Sequence, residues 1–173
     1  YSCRWISIRN KHPSSVPRRE PVTAVNAATF AAVFVALYVA HSVGDHWVQT
    51  SHQSAHKGRP GWVGRLADAR HVATLTATKV AVLLPVVWLL DLRLSVLGMV
   101  AGLGIDAVTH WWADRRSTLA WLAKVTGKGE FYRLGSPRAG RDDNPHIGTG
   151  AYALDQSFHH LWLLVAALVM ASV

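Results

Sequence analysis

The sequence predicts an all-α, polytopic membrane protein in which four transmembrane helices form a bundle with a buried His/Asp cluster near one membrane face. Half of its 173 residues are hydrophobic and 16% are charged, whereas about 25% of the residues in a typical soluble domain are charged. Four apolar stretches have about the 20 residues that a helix needs to cross a bilayer. None of them alternates as a strand would, and a helix satisfies its own backbone hydrogen bonds in lipid.

The beginning of the chain differs from the rest. Residues 1–21 are polar, carry five Lys or Arg residues and lack the apolar segment of a signal peptide. We therefore predict a disordered or non-native basic segment over residues 1–21 and a four-helix transmembrane domain over residues 22–173. Cys3 is the single cysteine, which excludes an intramolecular disulfide and a cysteine-based zinc site.

The apolar stretches predict helices over about residues 25–48, 71–91, 94–113 and 150–173. The second and third stretches are separated by the tight turn Asp91–Arg93, which is typical of an antiparallel helical hairpin. The other two links, residues 50–70 and residues 115–148, are long and polar. Because there are four spans, both long links lie on one side of the membrane, which we call the link face.

The charge of the links predicts the orientation. The two long links carry eleven Lys or Arg residues, whereas the short turn carries Arg93 alone. The positive-inside rule then places the link face in the cytoplasm of a plasma-membrane protein. The basic residues of the N-terminal segment argue the other way. An interfacial aromatic belt is also expected at the link face, formed by Trp47, Trp62, Trp111, Trp112 and Trp121.

Titratable residues recur four positions apart in three of the predicted helices. The pairs are His41 with Asp45, His110 with Asp114, and Asp155 with His159, while His71 opens the second helix. Residues four apart share one face of a helix. Since the pairs end the first and third helices and begin the fourth, all of them are expected at one depth near the link face. Helix periodicity alone does not require this coincidence.

Imidazoles and carboxylates together suit zinc, manganese or ferrous iron. We predict that a divalent metal ion is held by His41, Asp45, His110, Asp114 and His159. Asp155 or His71 is predicted to act as general base. Because these residues exceed what one four-coordinate ion needs, either two ions bind or some residues orient the ligands. The alternative is structural, because buried His and Asp side chains can also satisfy each other.

Four motifs in this chain resemble those of a known family. They are HSVGDHWVQ at residues 41–49, the histidine at 71, THWWAD at residues 109–114 and DQSFH at residues 155–159. Over roughly residues 25–173 they resemble a bacterial family of small multi-pass membrane proteins, domain of unknown function 3307. The resemblance implies a bacterial inner-membrane location, a shared polar site and no particular activity. The implied site residues are His41, Asp45, Gln49, His71, His110, Asp114, Asp155, Gln156 and His159.

These observations favour a membrane-embedded, metal-dependent hydrolase acting on a lipid or another anionic substrate near the membrane, which the basic links would attract. The alternative is a non-enzymatic small membrane adaptor or regulatory subunit with a structural His/Asp or metal site. A proton conductor is disfavoured because the deep halves of the helices lack polar steps. We expect membrane lipids as partners and no specific nucleic acid, and a homo-oligomer is compatible with this architecture. Lys79 is expected to stabilise a developing negative charge, to bind a phosphate, to snorkel toward the interface, or to pair with a neighbouring aspartate.

Overall fold

The computed structural model describes residues 25–137, 139–140 and 148–173, so the predicted N-terminal segment lies outside the described residues. Within these ranges the regular structure is helical, with no strand. The helices are α1 (Ala27–Val43), which continues as a π-helical turn (Gly44–Val48), α2 (Ser51–His56), α3 (Gly61–Leu89), α4 (Val96–Asp114), α5 (Ser117–Val125), α6 (Gly129–Arg133) and α7 (Gly150–Ser172). Four are long and apolar enough to cross a membrane: α1 with its π-helical turn, α3, α4 and α7. The predicted fold class is confirmed.

Helix α3 begins at Gly61 rather than at residue 71, which corrects the predicted boundary. Pro60 precedes it in an extended conformation, with ψ 162°, and no further proline occurs before Pro85. Hydropathy marks the part of a helix that faces lipid, whereas helix formation depends on backbone hydrogen bonds and propensity. The helix therefore continues beyond the apolar span, and Asp68 shares it with His71.

Polar side chains cap the starts of three spanning helices. The side-chain oxygen of Asn26 accepts hydrogen bonds from the N–H groups of Ala28 and Thr29, at 3.0 and 3.1 Å. Ser95 caps α4 and Thr149 caps α7 in a similar way. A cap of this kind contributes about 1 kcal/mol. These three helices start at, or two residues after, the positions that the sequence predicts.

The turn between α3 and α4 is short, as expected. Helix α3 ends at Leu89 and α4 begins at Val96. Asp91 has a positive φ of 47°, which aspartate tolerates better than most residues. Contacts join residue 71 to residue 110 and residue 79 to residue 106 across the two helices. The helical hairpin is therefore antiparallel.

The apolar core lies between α1, α3 and α7, toward the end of the bundle opposite the link face. Its buried residues are Val33, Ala36, Leu37, Leu83, Leu163, Ala166, Ala167 and Met170. Helices α4 and α7 approach closely at Gly102, where a Cβ atom would lie 2.6 Å from Met170 Cγ and 2.8 Å from the carbonyl oxygen of Ala166. Small residues at such contacts are typical of helix packing in membranes.

Candidate metal centre

The end of α1 changes from α-helical to π-helical geometry just before the cluster. The N–H of Gln49 donates to the carbonyl oxygen of Gly44 at 2.9 Å. Gly44 also lets α1 approach α3, because a Cβ atom there would lie 2.2 Å from Leu75 Cδ1. Asp45 follows directly and is brought beside α3. Short π-helical turns that extend or interrupt α-helices are frequent at functional sites.

Three further helices contribute residues at the same depth. His71 lies on α3, His110 and Asp114 lie on α4, and His159 lies on α7. These four residues and His41 are buried, with no more than 3% of any of them exposed. The predicted buried His/Asp cluster is therefore present, at the end of the bundle where the long links meet the helices.

Four residues form a compact set that we call the inner group: Asp45, His71, His110 and Asp114. His71 Nε2 is 3.1 Å from Asp45 Oδ1 and 3.4 Å from Asp114 Oδ2. His110 Nε2 is 3.1 Å from His71 Nε2, 3.2 Å from Asp114 Oδ2 and 3.7 Å from Asp45 Oδ1. A tetrahedral ion with bonds of about 2.0–2.1 Å separates its ligand atoms by about 3.3–3.4 Å. His71, His110 and Asp114 lie 3.1–3.4 Å from one another, close to that separation, so these three residues could hold a divalent metal ion, and Asp45 Oδ1 lies beside the two imidazoles.

A second set, which we call the outer group, consists of Asp114, Asp155 and His159. His159 Nε2 is 3.5 Å from Asp155 Oδ1 and 4.0 Å from Asp114 Oδ1. The His159 ring stacks on the His110 ring, with centroids 3.9 Å apart and an angle of 19° between the planes. Asp114 therefore belongs to both groups, because its Oδ2 atom faces the inner group and its Oδ1 atom faces His159.

His41 stands beside the two groups rather than in either. Its Nε2 atom is 3.6 Å from Asp45 Oδ2, whereas Asp45 faces His71 with its other oxygen. The His41 ring lies 5.4 Å from the His110 ring and 5.1 Å from the His159 ring, measured between centroids. The structure thus places His41, predicted as a ligand, behind Asp45. It places His71, predicted as a general base, among the candidate ligands.

Several buried atoms of the cluster have no hydrogen-bond partner. They include both ring nitrogens of His41, Nδ1 of His71 and of His110, and Nε2 of His159. Buried polar atoms are nearly always satisfied, so each exception needs an explanation such as a bound ion or water. Lys57 compensates part of the negative charge, because its ammonium group is 2.9 Å from Asp114 Oδ2. Among the unpartnered atoms, His159 Nε2 faces the carboxylates of Asp114 and Asp155 and is available to a cation.

Sequence reasoning missed one buried carboxylate and its partner. Asp68 is fully buried, and the guanidinium of Arg115 lies 3.8 Å from its Oδ2 atom. Arg115 also donates hydrogen bonds to the backbone carbonyls of Lys57 and Arg59, at 2.6 and 2.5 Å. It thereby fastens the link between α2 and α3 next to the cluster. The sequence signal for Asp68 was its position three residues before His71. This spacing places the two residues on one helix face only if α3 begins before residue 68.

A buried ion pair lies deeper in the bundle. Lys79 Nζ is 2.5 Å from Asp106 Oδ2, and the two residues are 0% and 3% exposed. Of the roles that the sequence leaves open for Lys79, the structure shows the pairing with an aspartate. Asp106 lies one turn from His110 on α4, but its carboxylate pairs with Lys79 and belongs to neither the inner nor the outer group.

An open cavity of about 850 Å³ reaches the cluster from the link face. Its lining includes the carboxylates of Asp45, Asp114 and Asp155 together with the cationic side chains of Lys57 and Arg116. The side chain of Asp155 is 26% exposed, whereas that of Asp114 is 2% exposed. A molecule in the cavity would therefore meet positive charge at the wall and the donor atoms of the cluster beneath it.

Fold and site together describe a four-helix protein of membrane-spanning character with a His/Asp group able to hold a metal ion. No family model matches the chain, and neither a curated protein nor a solved structure matches it. The resemblance carried by the four sequence motifs therefore stays a prediction, and the functional argument depends on the geometry of the site.

Proposed function

We propose that this protein is a membrane-embedded, metal-dependent hydrolase that acts on a lipid or another anionic substrate at the membrane surface. One observation carries the proposal: the donor atoms of His71, His110 and Asp114 lie 3.1–3.4 Å from one another, with Asp45 Oδ1 3.1 and 3.7 Å from the two imidazoles, beneath a cavity with Lys57 and Arg116 in its wall. A hydrolytic site needs this combination of a cation to activate water and positive charge to hold an anion.

The inner group supplies the ligands for a zinc, manganese or ferrous ion. His71 and His110 bind it through Nε2, and Asp45 and Asp114 bind it through one carboxylate oxygen each. A divalent ion in such a site lowers the pKa of a water molecule toward about 7 and polarises a phosphoryl or carbonyl oxygen. His41 has the position of a residue that orients a ligand, because it contacts the oxygen of Asp45 turned away from His71.

Two kinds of side chain in the cavity complete the proposed chemistry. The side chain of Asp155 is 26% exposed and lines the cavity, so its carboxylate can accept the proton that water loses when it attacks the substrate. Lys57 and Arg116 bind the negative charge of the substrate and of the transition state. The substrate is a phospholipid or a lipid phosphate, because the cavity opens at the end of the spanning helices, where headgroups lie.

The location of the protein is part of the same proposal. The two long links carry eleven Lys or Arg residues, and juxtamembrane basic segments are attracted to the anionic cytoplasmic leaflet. We therefore place the link face in the cytoplasm and the protein in a bacterial plasma membrane. The joint occurrence of the four motifs supports membership of the bacterial family domain of unknown function 3307.

Metal content and hydrolysis, measured on the same preparation, test the proposal. The full chain, purified in detergent, is expected to retain a transition metal by elemental analysis and to release headgroup or phosphate from anionic lipid vesicles. His110→Ala should lose the metal and the activity. His52→Ala, which removes an exposed histidine of α2, is the matched control and should retain both. Folded wild-type protein that holds no metal after zinc, manganese or iron is offered would overturn the proposal.

A non-enzymatic adaptor or regulatory subunit is the second candidate function. The contact of 2.9 Å between Lys57 and Asp114 favours it, because this pair neutralises a cluster carboxylate without any metal. The cluster would then hold the helices together, and the basic links would bind a partner. In that case His110→Ala lowers the melting temperature, whereas no lipid is hydrolysed by the wild-type protein.

A further inference from the structure

We propose that the cluster holds two metal ions, with Asp114 bridging them. The inference rests on the proposed function for its first ion, which the inner group binds. The second ion would be bound by the outer group, Asp114, Asp155 and His159. The pair of ions assigns a substrate class, because two ions about 3.5–4 Å apart are typical of enzymes that cleave phosphate esters and of some peptidases.

The position of Asp114 is the first argument. Its Oδ2 atom is 3.2 Å from His110 Nε2 and 3.4 Å from His71 Nε2. Its Oδ1 atom faces the opposite imidazole, with His159 Nε2 at 4.0 Å. One carboxylate therefore presents each of its oxygens to a different set of nitrogen donors. In a bridging carboxylate each oxygen binds a different ion, and the two oxygens of Asp114 are placed for that role. A carboxylate that binds a single ion does not need nitrogen donors on both sides.

The donor count is the second argument. His71, His110 and Asp114 already offer three donor atoms to one ion, and Asp45 or a water molecule completes a tetrahedral ion. Asp155 and His159 are left over, and His159 Nε2 is a buried atom with no hydrogen-bond partner. That nitrogen lies 3.5 Å from Asp155 Oδ1, within the separation that two ligands of one ion adopt. A second ion satisfies it, whereas a single ion in the inner group does not.

The spacing of the two groups is the third argument. The rings of His110 and His159 are stacked nearly parallel, 3.9 Å apart. His110 serves the inner group and His159 serves the outer group. Two parallel imidazoles at this distance can hold two ions side by side, and the separation of the rings is close to the spacing of paired metal ions in hydrolases.

Two side chains then have a further role. Asp155 binds the second ion through Oδ1, while Oδ2, which accepts a hydrogen bond of 3.4 Å from Gln156, stays available for the proton of the attacking water. The ammonium of Lys57, now 2.9 Å from Asp114 Oδ2, is displaced by the cations into the cavity it borders. There it meets the phosphate of the substrate. The expected substrate is therefore a phosphate ester rather than a carboxylic ester of a lipid.

The number of ions per chain tests the proposal without any assay of activity. The full chain in detergent is loaded with Mn²⁺, freed of unbound metal and measured for metal per chain, and its electron paramagnetic resonance spectrum is recorded. Wild-type protein is expected to hold two ions per chain and to show the exchange-coupled spectrum of a carboxylate-bridged pair. Asp155→Asn and His159→Gln are expected to hold one ion and to show an uncoupled spectrum.

Asp91→Asn is the matched control for loss of a carboxylate, because Asp91 lies in the turn between α3 and α4 at the far end of the bundle; this variant should hold two ions. One ion per wild-type chain, or an uncoupled spectrum at two ions per chain, overturns the bridged pair and leaves the proposed hydrolase standing with a single ion. No bound ion overturns both. The wild-type result decides the matter even if a variant fails to fold.

Discussion

Replacing Lys79 by methionine tests whether the deep ion pair stabilises the fold or belongs to the site. The ammonium of Lys79 is 2.5 Å from Asp106 Oδ2, and neither residue is more than 3% exposed. At an effective dielectric constant of about 20, Coulomb's law gives about 7 kcal/mol of attraction over that distance. Desolvation of the two charges offsets most of this energy. Removing one partner is different, because it leaves the other charge buried without compensation, and the expected loss is about 3–5 kcal/mol of unfolding free energy.

A double-mutant cycle separates the pair from the packing around it. Lys79→Met and Asp106→Leu should each lose about 3–5 kcal/mol, whereas the double variant should lie within about 1.5 kcal/mol of wild type, since apolar residues of similar size replace both charges. The coupling energy then exceeds about 3 kcal/mol. None of the three variants should lower the metal content, because the pair lies outside both metal-capable groups.

The assay is equilibrium unfolding in mixed micelles of increasing denaturing-detergent content, followed by circular dichroism. Lys124→Met, at an exposed position of α5, is the control and should change the unfolding free energy by less than about 0.5 kcal/mol. The reasoning fails if Lys79→Met behaves like this control, or if the losses of the two single variants simply add in the double variant.

Two further outcomes follow from the packing. Gly102→Ala is expected to destabilise the bundle by about 1–3 kcal/mol, because the added Cβ would lie 2.8 Å from the carbonyl oxygen of Ala166. At Gly104 an added Cβ meets open space, so Gly104→Ala should stabilise α4 by up to about 1 kcal/mol. Equal melting temperatures for the two variants would contradict this. Arg115→Gln removes charged hydrogen bonds to the link between α2 and α3, so amide hydrogen exchange over residues 57–59 should accelerate about tenfold. Unchanged exchange there would show that Arg115 does not hold the link.

Much of the architecture could be read from local properties of the chain. Apolar runs of about 20 residues indicate where a helix can cross lipid, and the short turn around Asp91 indicates that two helices are antiparallel. The pairing of His110 with Asp114 follows from helical spacing alone, because residues four apart share a face. The start of α3 was predicted too late, since hydropathy reports contact with lipid and not the extent of backbone hydrogen bonding.

The arrangement inside the cluster could not be read in this way. His41 and Asp45 have the same spacing as His110 and Asp114. His41, however, lies 3.6 Å from Asp45 Oδ2, the oxygen that is turned away from His71. His71 has no partner four residues away but meets carboxylates of two other elements. These differences depend on the rotation of each helix about its axis and on the π-helical turn after α1. Both are set by packing between helices, as where Gly44 lies against Leu75.

The sequence by itself determined that four helices are long and apolar enough to cross a membrane and that their His and Asp residues lie toward one end of the bundle. Hydropathy and helical periodicity carry this information because they are properties of neighbouring residues. Only the tertiary structure decided which donor atoms face each other, that Asp114 is shared between two groups, that Lys57 contacts Asp114, and that Arg115 contacts Asp68. Those contacts join residues far apart in the chain, and their distances arise from how whole helices pack.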